Sequence, residues 1–490
     1  MNRKFQIAVA LISCLSFAHP TFAQITFERS YGGQFYDTGE DVVETPDHNY
    51  LVFGTTRSVS NDTADAYLLR LDENGDTLWT KAYGGKLWDS GIAIVPASDG
   101  GYVLGIATNS INPENYDVHL VKIQDNGDTL WTRTYGGSAT DYVHSMQSTS
   151  DDGYIVLAHT LSYGKGSLDF YLLKLDENGD TLWTRTYGDT GSDWGGFVQQ
   201  TSDDGYIMTG DTYSFGDPNG DIYLIKTNIS GDTLWTRTYG GADYDRAYHV
   251  LQTTDGGFMV SGITQSLGAA DYNGYLIRTN TSGDTLWTKV IGGMQTSSLY
   301  WCEQISDGNY VAAGSIRGIG VETVDAYIIK FDDDGNILWT RNFGGAEHDM
   351  ASCVKETKDG GLIIVGRTKS FSVDQDDDVY IIKTNNAGNF TSIRDIRSTL
   401  PPSSNELLEC YPNPFHSSTR ITFKLNKADN VSLRIVSLLG KEIETLLSDK
   451  YLSDGEYDFP WSADHLPGGL YVIQLKVGNN IFTQNIICQK

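Results

Sequence analysis

The eleven residues GDTLWTRTYGG, at positions 127–137 and again at 231–241, are the most regular feature of this chain of 490 residues. Copies of GDTLW begin at Gly75, Gly127, Gly179, Gly231 and Gly283, and a looser copy, GNILW, begins at Gly335. The tryptophans of these copies, Trp79, Trp131, Trp183, Trp235, Trp287 and Trp339, follow one another at a constant interval of 52 residues. One interval earlier lies Phe27, within the related stretch ITFERSYGG. A fixed period of this length indicates supersecondary units that stack side by side.

Each unit contains four short segments with the composition of β-strands. In the third copy these segments are DYVHSMQST, YIVLAHT, DFYLLKLD and TLWTRTY, and the turns SDDG and ENGD separate them pairwise. β-Branched and aromatic residues favour strands, and Asp or Asn beside Gly provides the positive φ of tight hairpin turns. Four antiparallel strands in a unit of about 50 residues are typical of a propeller blade. A linear β-solenoid would instead have shorter rungs without regular hairpins.

The two ends of the repeat predict how the ring closes. The first unit has an outer strand around Phe27 without its partners, and the last unit, DVYIIKTNNAG, has the partners without a following Trp strand. We therefore predict an all-β fold in which residues 24–390 form a seven-bladed β-propeller with four antiparallel strands per blade. Closure should pair Ile25–Tyr31 with Asp378–Thr384. Each LWTRTY strand should form the outer edge of a blade, with its Trp largely buried between neighbouring blades.

The repeat also resembles a known group of sequences. The order D-x-[FY]-[LIV]-[LIV]-K, then G-D-x-L-W-x-[KR]-x-[YF]-G-G, then D-G-G-Y is similar to the bacterial β-propeller repeats of large exported proteins. The resemblance covers about residues 24–390 and implies the architecture. It implies no catalytic residues, since that repeat family is not defined by an activity.

The start of the chain predicts export. Arg3 and Lys4 precede an apolar run that begins at Phe5, and the triplet TFA ends at Ala23. This is the layout of a secretory signal peptide that occupies residues 1–23. The alternative is a lipoprotein signal in which Cys14, at the end of LISC, is acylated. No later segment approaches the ~20 apolar residues of a membrane-spanning helix.

Charge and cysteine content narrow the class further. The formal net charge of −28 argues against nucleic acid and anionic membrane surfaces as partners, because both would be repelled. Four of the five cysteines lie beyond the signal peptide, which is too few for a disulfide framework in a chain of this length. The propeller should therefore be stabilised by burial of apolar side chains.

The phase of the repeat places the candidate ligand-binding residues. The loop between the second and third strands differs in every unit, and it should lie at the same end of the blades as the YGGxxxD turn. Variable loops on a rigid scaffold commonly carry binding residues. The residue just before the Asp of that turn is Tyr36, Trp88, Thr140, Ser192, Tyr244, Thr296 or His348. Together with Trp194 and Trp301 of the inner strands, the larger of these side chains could line a mouth for sugar rings or peptide side chains, or they could simply fill loop corners.

Two repeated carboxylate positions bear on metal binding. One set is Asp37, Asp89, Asp141, Asp193, Asp245 and Asp349, with Ser297 as the exception. The other set, ahead of the third strands, is Asp65, Asp117, Asp169, Asp221, Asp325 and Asp378, with Asn273 as the exception. A ring of carboxylates could hold calcium, which favours several oxygen ligands. Carboxylates repeated in every blade are more simply turn caps that accept bonds from backbone N–H groups, so we predict no cofactor.

No sequence signature of catalysis is present. The chain contains no HExxH, GxSxG or P-loop sequence, and its histidines do not cluster at ligand spacings. The acids that break the symmetry of the repeat are Glu40, Asp41 and Glu303. A hydrolase would need an acid/base pair of this kind in the propeller channel. The sequence predicts a protein that is not an enzyme.

The period stops after Phe390, and residues 391–404 have the composition of a linker. Residues 405–490 show alternating strands with turns about every ten residues, which favours a small Ig-like β-sandwich. The tail resembles the C-terminal sorting domain of type IX secretion cargo in Bacteroidetes-type bacteria. The matching residues are Tyr411-Pro412-Asn413-Pro414-Phe415 and Pro467-Gly468-Gly469-Leu470-Tyr471, with LRIVSLLGKEI and DGEYDFPW between them. The resemblance implies the type IX secretion machinery as a partner, and release or attachment at the outer-membrane surface.

The tail also contains a candidate disulfide. Cys410 lies in its first predicted strand and Cys488 in its last, and terminal strands of a small sandwich are commonly neighbours. Export through an oxidising periplasm would allow them to pair. Cys302 and Cys353, on consecutive inner strands but one residue out of phase, are a poorer pair.

The sequence therefore predicts a secreted or surface-attached binding protein whose variable loops meet a glycan, a peptide or a matrix component. An extracellular hydrolase with acidic channel residues and a purely structural surface-layer component are the alternatives.

Overall fold

The computed structural model describes residues 24–488 apart from 60–62, 269–270, 318–322, 373–374, 391–395, 399–407, 412–417, 426, 438–441, 454, 464–465, 468 and 478–479. The predicted signal peptide lies outside the described residues. The chain divides into two compact units, residues 1–398 and 399–490. Within the described residues no helix is long and apolar enough to span a membrane.

The first unit is built from strands that pair within one repeat at a time. Blades 1 to 3 consist of β2 (Asp37–Glu44), β3 (Tyr50–Thr56), β4 (Asp65–Leu71) and β5 (Thr77–Tyr83); β6 (Asp89–Pro96), β7 (Tyr102–Thr108), β8 (Asp117–Ile123) and β9 (Thr129–Tyr135); and β10 (Asp141–Ser148), β11 (Tyr154–Thr160), β12 (Asp169–Leu175) and β13 (Thr181–Tyr187). In each blade the four strands are antiparallel neighbours in chain order, the first being the inner strand and the fourth the outer strand.

Blades 4 to 6 repeat this order. They consist of β14 (Asp193–Gln200), β15 (Tyr206–Thr212), β16 (Asp221–Thr227) and β17 (Thr233–Tyr239); β18 (Asp245–Gln252), β19 (Phe258–Thr264), β20 (Asn273–Thr279) and β21 (Thr285–Ile291); and β22 (Ser297–Gln304), β23 (Tyr310–Arg317), β24 (Val324–Phe331) and β25 (Ile337–Phe343).

The seventh blade joins the two ends of the repeat region. It contains β26 (Asp349–Glu356), β27 (Leu362–Thr368) and β28 (Asp378–Thr384), and β1 (Phe27–Tyr31) is its outer strand. β1 pairs antiparallel with β28, from Phe27 opposite Lys383 to Tyr31 opposite Val379. The inner strands contact one another from blade to blade, including β26 with β2, so the ring is closed. These seven sheets are consistent with the predicted seven blades, and the pairing of β1 with β28 confirms the predicted closure by the chain ends.

A short strand extends the seventh blade beyond the sequence prediction. β29 (Ile396–Ser398) lies within the predicted linker and pairs parallel with β1. The sheet of the closing blade therefore has five strands within the described residues, in the order β26-β27-β28-β1-β29. The outer strand β1 is covered on its far edge, and all five of its residues are buried.

The tight turns follow from their sequences. In the turn between β12 and β13, Gly179 has φ of 77° and its N–H donates to the carbonyl of Asp176. The Asp176 carboxylate accepts from the N–H of Asp180 at 2.8 Å. Glycine adopts this left-handed conformation without the steric cost of a Cβ. The glycine conformation and its N–H bond recur at every third-to-fourth turn, which is why a glycine begins each copy of the quoted sequence.

The outer-strand tryptophans pack between neighbouring blades and keep part of the indole in solvent. Trp183 is half-buried, as are its five equivalents. One side of its indole packs on the next blade, where a Cβ on Gly231 would clash with it and Tyr206 meets it edge to face at 5.9 Å. The guanidinium carbon of Arg185 lies 5.5 Å from the ring centroid. The prediction of a location between blades, with most of the side chain covered, is confirmed. The outer strand leaves the rest of the indole in solvent.

The second unit contains two sheets that share one core. The strands are β30 (Leu408–Tyr411), β31 (Ser418–Leu425), β32 (Asp429–Ser437), β33 (Glu442–Leu452), β34 (Gly455–Ser462), β35 (Gly469–Val477) and β36 (Asn480–Cys488). The sheet orders are β30-β31-β34 and β33-β32-β35-β36. Phe423 and Trp461 of the first sheet pack in one apolar cluster with Leu433 and Ile473 of the second. This is a β-sandwich.

The cysteine predictions have different outcomes. Cys302 and Cys353 are buried free thiols, so they do not form the poorer of the two bridges. The backbone of Cys410 lies in β30, which contacts β36, but its side chain lies outside the described residues. The Cys410–Cys488 bridge stays a prediction.

Candidate binding site in the propeller channel

A cavity of about 870 Å³ lies where the inner strands of the seven blades meet. Every inner strand has a register irregularity after its third residue, as between Val143 and Ser145 in β10. A β-bulge leaves its extra residue unpaired and redirects its side chain. The fourth residues of the seven inner strands all line the cavity; they are Glu40, Ile92, His144, Gly196, Tyr248, Tyr300 and Ser352. The bulge thus gives each blade one channel position of its own.

A connected group of side chains at the variable-loop end belongs to blades 4, 5 and 6. Nε of Arg246 lies 3.3 Å from Oδ1 of Asp211, and the hydroxyl of Tyr244 donates to Oδ2 of Asp211 at 3.2 Å. The guanidinium carbon of Arg246 also lies 5.0 Å from the ring centroid of Tyr248, which meets Tyr300 edge to face. Burial raises the pKa of Asp211 to about 6, although Arg246 opposes the shift. The group combines a charged pair with aromatic faces.

A pair of neutral histidines adjoins this group. Nε2 of His144 and Nδ1 of His159 are 2.6 Å apart, a distance at which one imidazole donates to the other. Burial lowers the pKa of both side chains, that of His159 to about 4, and the charge of Arg246 lowers them further. Tyr142 stacks on His159, and Trp194 meets His159 edge to face at 4.9 Å. At neutral pH the two rings therefore offer hydrogen bonds without charge.

The seventh and first blades place a second arginine on the cavity. Nη1 of Arg367 is 3.3 Å from the hydroxyl of Tyr36 and 3.7 Å from the carboxylate of Asp377. Burial raises the pKa of Glu40, which the nearby Arg367 opposes. Arg367 and Glu40 both line the cavity. Opposite charges are thus present on this wall of the channel as well.

A different group lies along the later residues of the inner strands. Nζ of Lys355 donates to Asp41 at 2.7 Å and lies 5.2 Å from the ring centroid of Trp301. Burial raises the pKa of Glu303 to about 7, and the charge of Lys355 lowers it. His249 lies between Phe197 and Trp301, with centroid distances of 3.9 and 4.4 Å, and burial lowers its pKa to about 3. This group pairs acids with a lysine beside an aromatic wall.

The structure places the six residues predicted to bind a ligand in different parts of the propeller. In all seven blades, the carbonyl of the residue before the Asp accepts from a backbone N–H at the start of the variable loop. Tyr36 and Tyr244 also contact the arginines of the channel. Trp301 lines the cavity, whereas Trp194 does not line it and packs on His159. Trp88 is 39% exposed and packs on Arg57, and His348 is exposed beside Val324. The last two lie on the loop face instead of with the channel groups, and the ligand role of all six stays a prediction.

Sequence reasoning did not select the residues that connect this site. Arg246, Asp211, His144, His159, Tyr248 and Arg367 were not among its candidates. The available signal was the phase of the inner strands, in which the fourth residue changes in nearly every copy while the outer strands repeat.

The first set of repeated aspartates forms turn caps. Oδ2 of Asp141 accepts from the N–H of Gly137 at 2.8 Å and from the hydroxyl of Ser162 at 2.6 Å. The same serine contact, at 2.6 Å, recurs at Asp37, Asp89, Asp193, Asp245 and Asp349. These contacts tie the loop before each inner strand to the variable loop of the same blade. Among the described residues, no three acidic, histidine or cysteine side chains converge on a metal-binding geometry.

Fold and sequence together define a repeat-built β-propeller with an appended export domain. Residues 64–319, more than half of the chain, match the family described as outer membrane protein assembly factor BamB, and the chain belongs to that family. Residues 409–489 match the secretion system C-terminal sorting domain. The protein is therefore exported, and the sorting domain implies the type IX secretion machinery as its partner.

Individual relatives share less of the chain. Regulatory protein FlaEY of Caulobacter vibrioides is 27% identical over 205 residues, which cover 36% of this chain and 21% of that protein. A protein of unknown function from Bacteroides caccae has a TM-score of 0.39 at 12% identity, covering 58% of this chain and 93% of its own. Puromycin hydrolase has a TM-score of 0.46 at 12% identity, covering 81% of this chain and 62% of its own.

Proposed function

We propose that this protein is a secreted or surface-attached binding protein whose propeller channel takes a glycan or peptide ligand from the variable-loop face. The observation that carries the proposal is the position of the differences among the repeats. Copies that agree almost letter for letter at their outer strands differ at the bulged residue of the inner strand, and these residues meet in one cavity of about 870 Å³. These varied side chains determine which ligand the cavity can accept.

The chemistry of the cavity favours a polar ligand with apolar faces. Arg246 and Tyr248 present a cation and an aromatic ring side by side, and Tyr300 adds a second ring. Sugar rings stack on aromatic faces while their hydroxyls bond to charged groups, and peptide side chains use the same features. The neutral imidazoles of His144 and His159 supply further hydrogen bonds. Of the two ligand classes, glycan and peptide, a glycan would use more of these groups.

The test is a glycan array probed with the mature propeller, followed by affinity measurement on the best glycan. We expect Tyr248→Ala or Arg246→Met to weaken binding by tenfold or more, on the order of 1.4 kcal/mol. Arg237→Met is the matched control, because Arg237 is half-buried on an outer strand, packs on Trp235 and does not line the cavity. Binding that survives both channel substitutions would place the ligand elsewhere. A folded propeller that binds neither glycan nor peptide libraries would favour the structural surface-layer alternative.

The mode of surface association is a separate part of the proposal. The sorting domain supports export, and the protein is either released or attached after its removal. Fractionation of cells that express the full chain distinguishes the two outcomes. Loss of export on deletion of residues 409–489 is expected in both.

A hydrolase is the second candidate, and one observation favours it. Glu303 has a pKa of about 7, as a general acid requires near neutral pH, and Lys355 bonds to the carboxylate of Asp41 beside it. Hydrolysis of glycoside or peptide substrates presented on the same array would reveal turnover. Glu303→Gln should abolish any turnover while leaving ligand binding; turnover that persists in Glu303→Gln would exclude this assignment.

A further inference from the structure

The second set of repeated aspartates faces the first across each boundary between blades. Asp117, which begins β8, and Asp141, which begins the next inner strand, approach the same glycine, Gly136, from two sides. A Cβ on Gly136 would clash with a carboxylate oxygen of each. The same clash with two carboxylates occurs at Gly32, Gly84, Gly188 and Gly240, and Asp325 lies within electrostatic range of Asp349 at a sixth boundary. Like charges thus face each other six times around the ring, with both members buried at four of the boundaries and Asp65 and Asp325 partly exposed at the other two.

The paired carboxylates leave oxygens without partners. Asp117 is 6% exposed and Asp141 is fully buried, and Oδ1 of each has no hydrogen-bond partner. The same holds for Oδ1 of Asp169, Asp221 and Asp245, whereas Oδ1 of Asp193 and of Asp349 accepts from the hydroxyls of Thr212 and Thr368. A buried ionised carboxylate without a compensating partner costs several kcal/mol, so such groups are normally paired or coordinate a metal. The turn-cap contacts of Asp141 stabilise its other oxygen and leave only Oδ1 unsatisfied.

One boundary differs from the other six, and it differs on both sides at once. Asn273 and Ser297 occupy the two aspartate positions there. Nδ2 of Asn273 donates to the carbonyls of Gly293 and Gln295, each at 3.1 Å. The Ser297 hydroxyl donates to the carbonyl of Ile291 at 2.6 Å and accepts from the N–H of Gly274 at 3.0 Å. Where the charges are absent, neutral groups satisfy the local backbone directly, and neither acid persists without the other.

We propose that the acidic boundaries bind calcium, with the two facing aspartates of each boundary as ligands. Calcium prefers oxygen ligands and accepts backbone carbonyls and waters alongside carboxylates. Two carboxylates per site, with no third acidic side chain among the described residues, correspond to the weak affinities of extracellular modules, about 10⁻⁴ to 10⁻³ M. Such concentrations are met outside the cell. The cation would link each blade to the next and neutralise part of the charge of the chain.

The experiment measures calcium bound per full chain by equilibrium dialysis at millimolar calcium. We expect about six ions for the wild type and one fewer for Asp117→Asn, which copies the residue found at the exceptional boundary. Asp128→Asn is the matched control, because Asp128 is exposed and pairs with Lys81 at the opposite face. The double variant Asn273→Asp with Ser297→Asp should gain one ion. These gains and losses do not depend on any ligand in the channel.

Thermal melting gives an independent readout of the same sites. Calcium should raise the Tm of the wild type by several degrees relative to chelator, because a ligand that binds only the folded state stabilises it. Asp117→Asn should melt higher than the wild type in chelator, where it removes a like-charge pair, and lower in calcium. A chain that binds no calcium at millimolar concentrations, or an unchanged number of ions in both the loss and the gain variants, overturns the proposal.

Discussion

The outer strands of the blades are nearly the same in every copy, whereas the inner strands vary from copy to copy. The outer strands β9, β13 and β17 are identical, TLWTRTY, whereas the bulged residue of the inner strand is an acid, an aliphatic, an imidazole, a glycine, a phenol or a hydroxyl. Each outer strand must fit the turn of the next blade. In blade 3, for example, the Tyr187 hydroxyl donates to the carbonyl of Gly231 at 2.6 Å. Inner strands meet around open space, where no neighbouring turn restricts the side chain.

This difference teaches how a repeat protein separates framework from function. Positions that contact the next blade keep the same residue in nearly every copy. Each blade makes this contact with the blade after it and receives the same contact from the blade before it. Positions that face the channel can change one blade at a time without loss of the ring. Identity among copies therefore marks the framework, and divergence at a fixed phase marks the site.

The largest effect on stability is expected when the strand that closes the ring is removed. Deletion of residues 24–33 should lower the free energy of unfolding on the order of 5 kcal/mol or more, since it exposes β28 and a buried five-residue strand is lost. Urea denaturation measures the change. Reinserting residues 25–31 after Asn389, where the other repeats have their outer strand, should restore most of the stability. A truncated chain that unfolds like the wild type would show that closure is not needed.

The second test concerns a single framework side chain. Trp183→Ala should cost about 2–3 kcal/mol, below the ~3–5 kcal/mol of a fully buried Trp, because only one face of the indole packs on the next blade. The neighbouring Leu182 is 56% exposed, and Leu182→Ala should change stability by less than about 0.5 kcal/mol. Denaturation of the two variants measures both values. Equal costs would mean that the indole does not anchor the blade boundary.

The third test uses pH to separate the channel from the framework. The pKa of Asp211 is raised to about 6 in the folded protein, so its buried charge opposes folding at neutral pH, and this cost disappears as pH falls through 6. The stability of the wild type relative to Asp211→Asn should therefore increase by about 2 kcal/mol between pH 8 and pH 4.5. Asp128→Asn should show no such rise. A relative stability that falls with acidification would contradict the sign of the shift.

The smallest effect is expected at the loop face. His348 is exposed, and His348→Asn should leave stability within about 0.5 kcal/mol while weakening glycan binding by a few fold if the ligand reaches the loops. His48, exposed in a turn on the opposite face, provides the control His48→Asn. If His48→Asn weakened glycan binding as much as His348→Asn does, the ligand would not be located at the loop face.

Much of the framework could be predicted from the sequence, whereas the site could be predicted only in part. The 52-residue period located the blades, and the half-repeats around Phe27 and Asp378 predicted closure with its partners. The period also placed each outer-strand Trp between blades, although periodicity does not say which part of the side chain the neighbour covers. Tyr36 and Tyr244 were placed at the loop end by phase, but Arg246 and Asp211, 35 residues apart and on different blades, are joined only by the packing of one sheet on the next.

The sequence by itself determined the all-β repeat, the number of blades, the face that carries the variable loops and the export signal in the tail. It could do so because hairpin turns, strand composition and a constant period are local properties that add up along the chain. Only the tertiary structure decided which side chains meet: the bulge that turns one residue per blade into the channel, the pairing of His144 with His159, and the aspartates that face each other across Gly136. Those contacts join residues of different strands and blades, and their distances depend on how the ring packs.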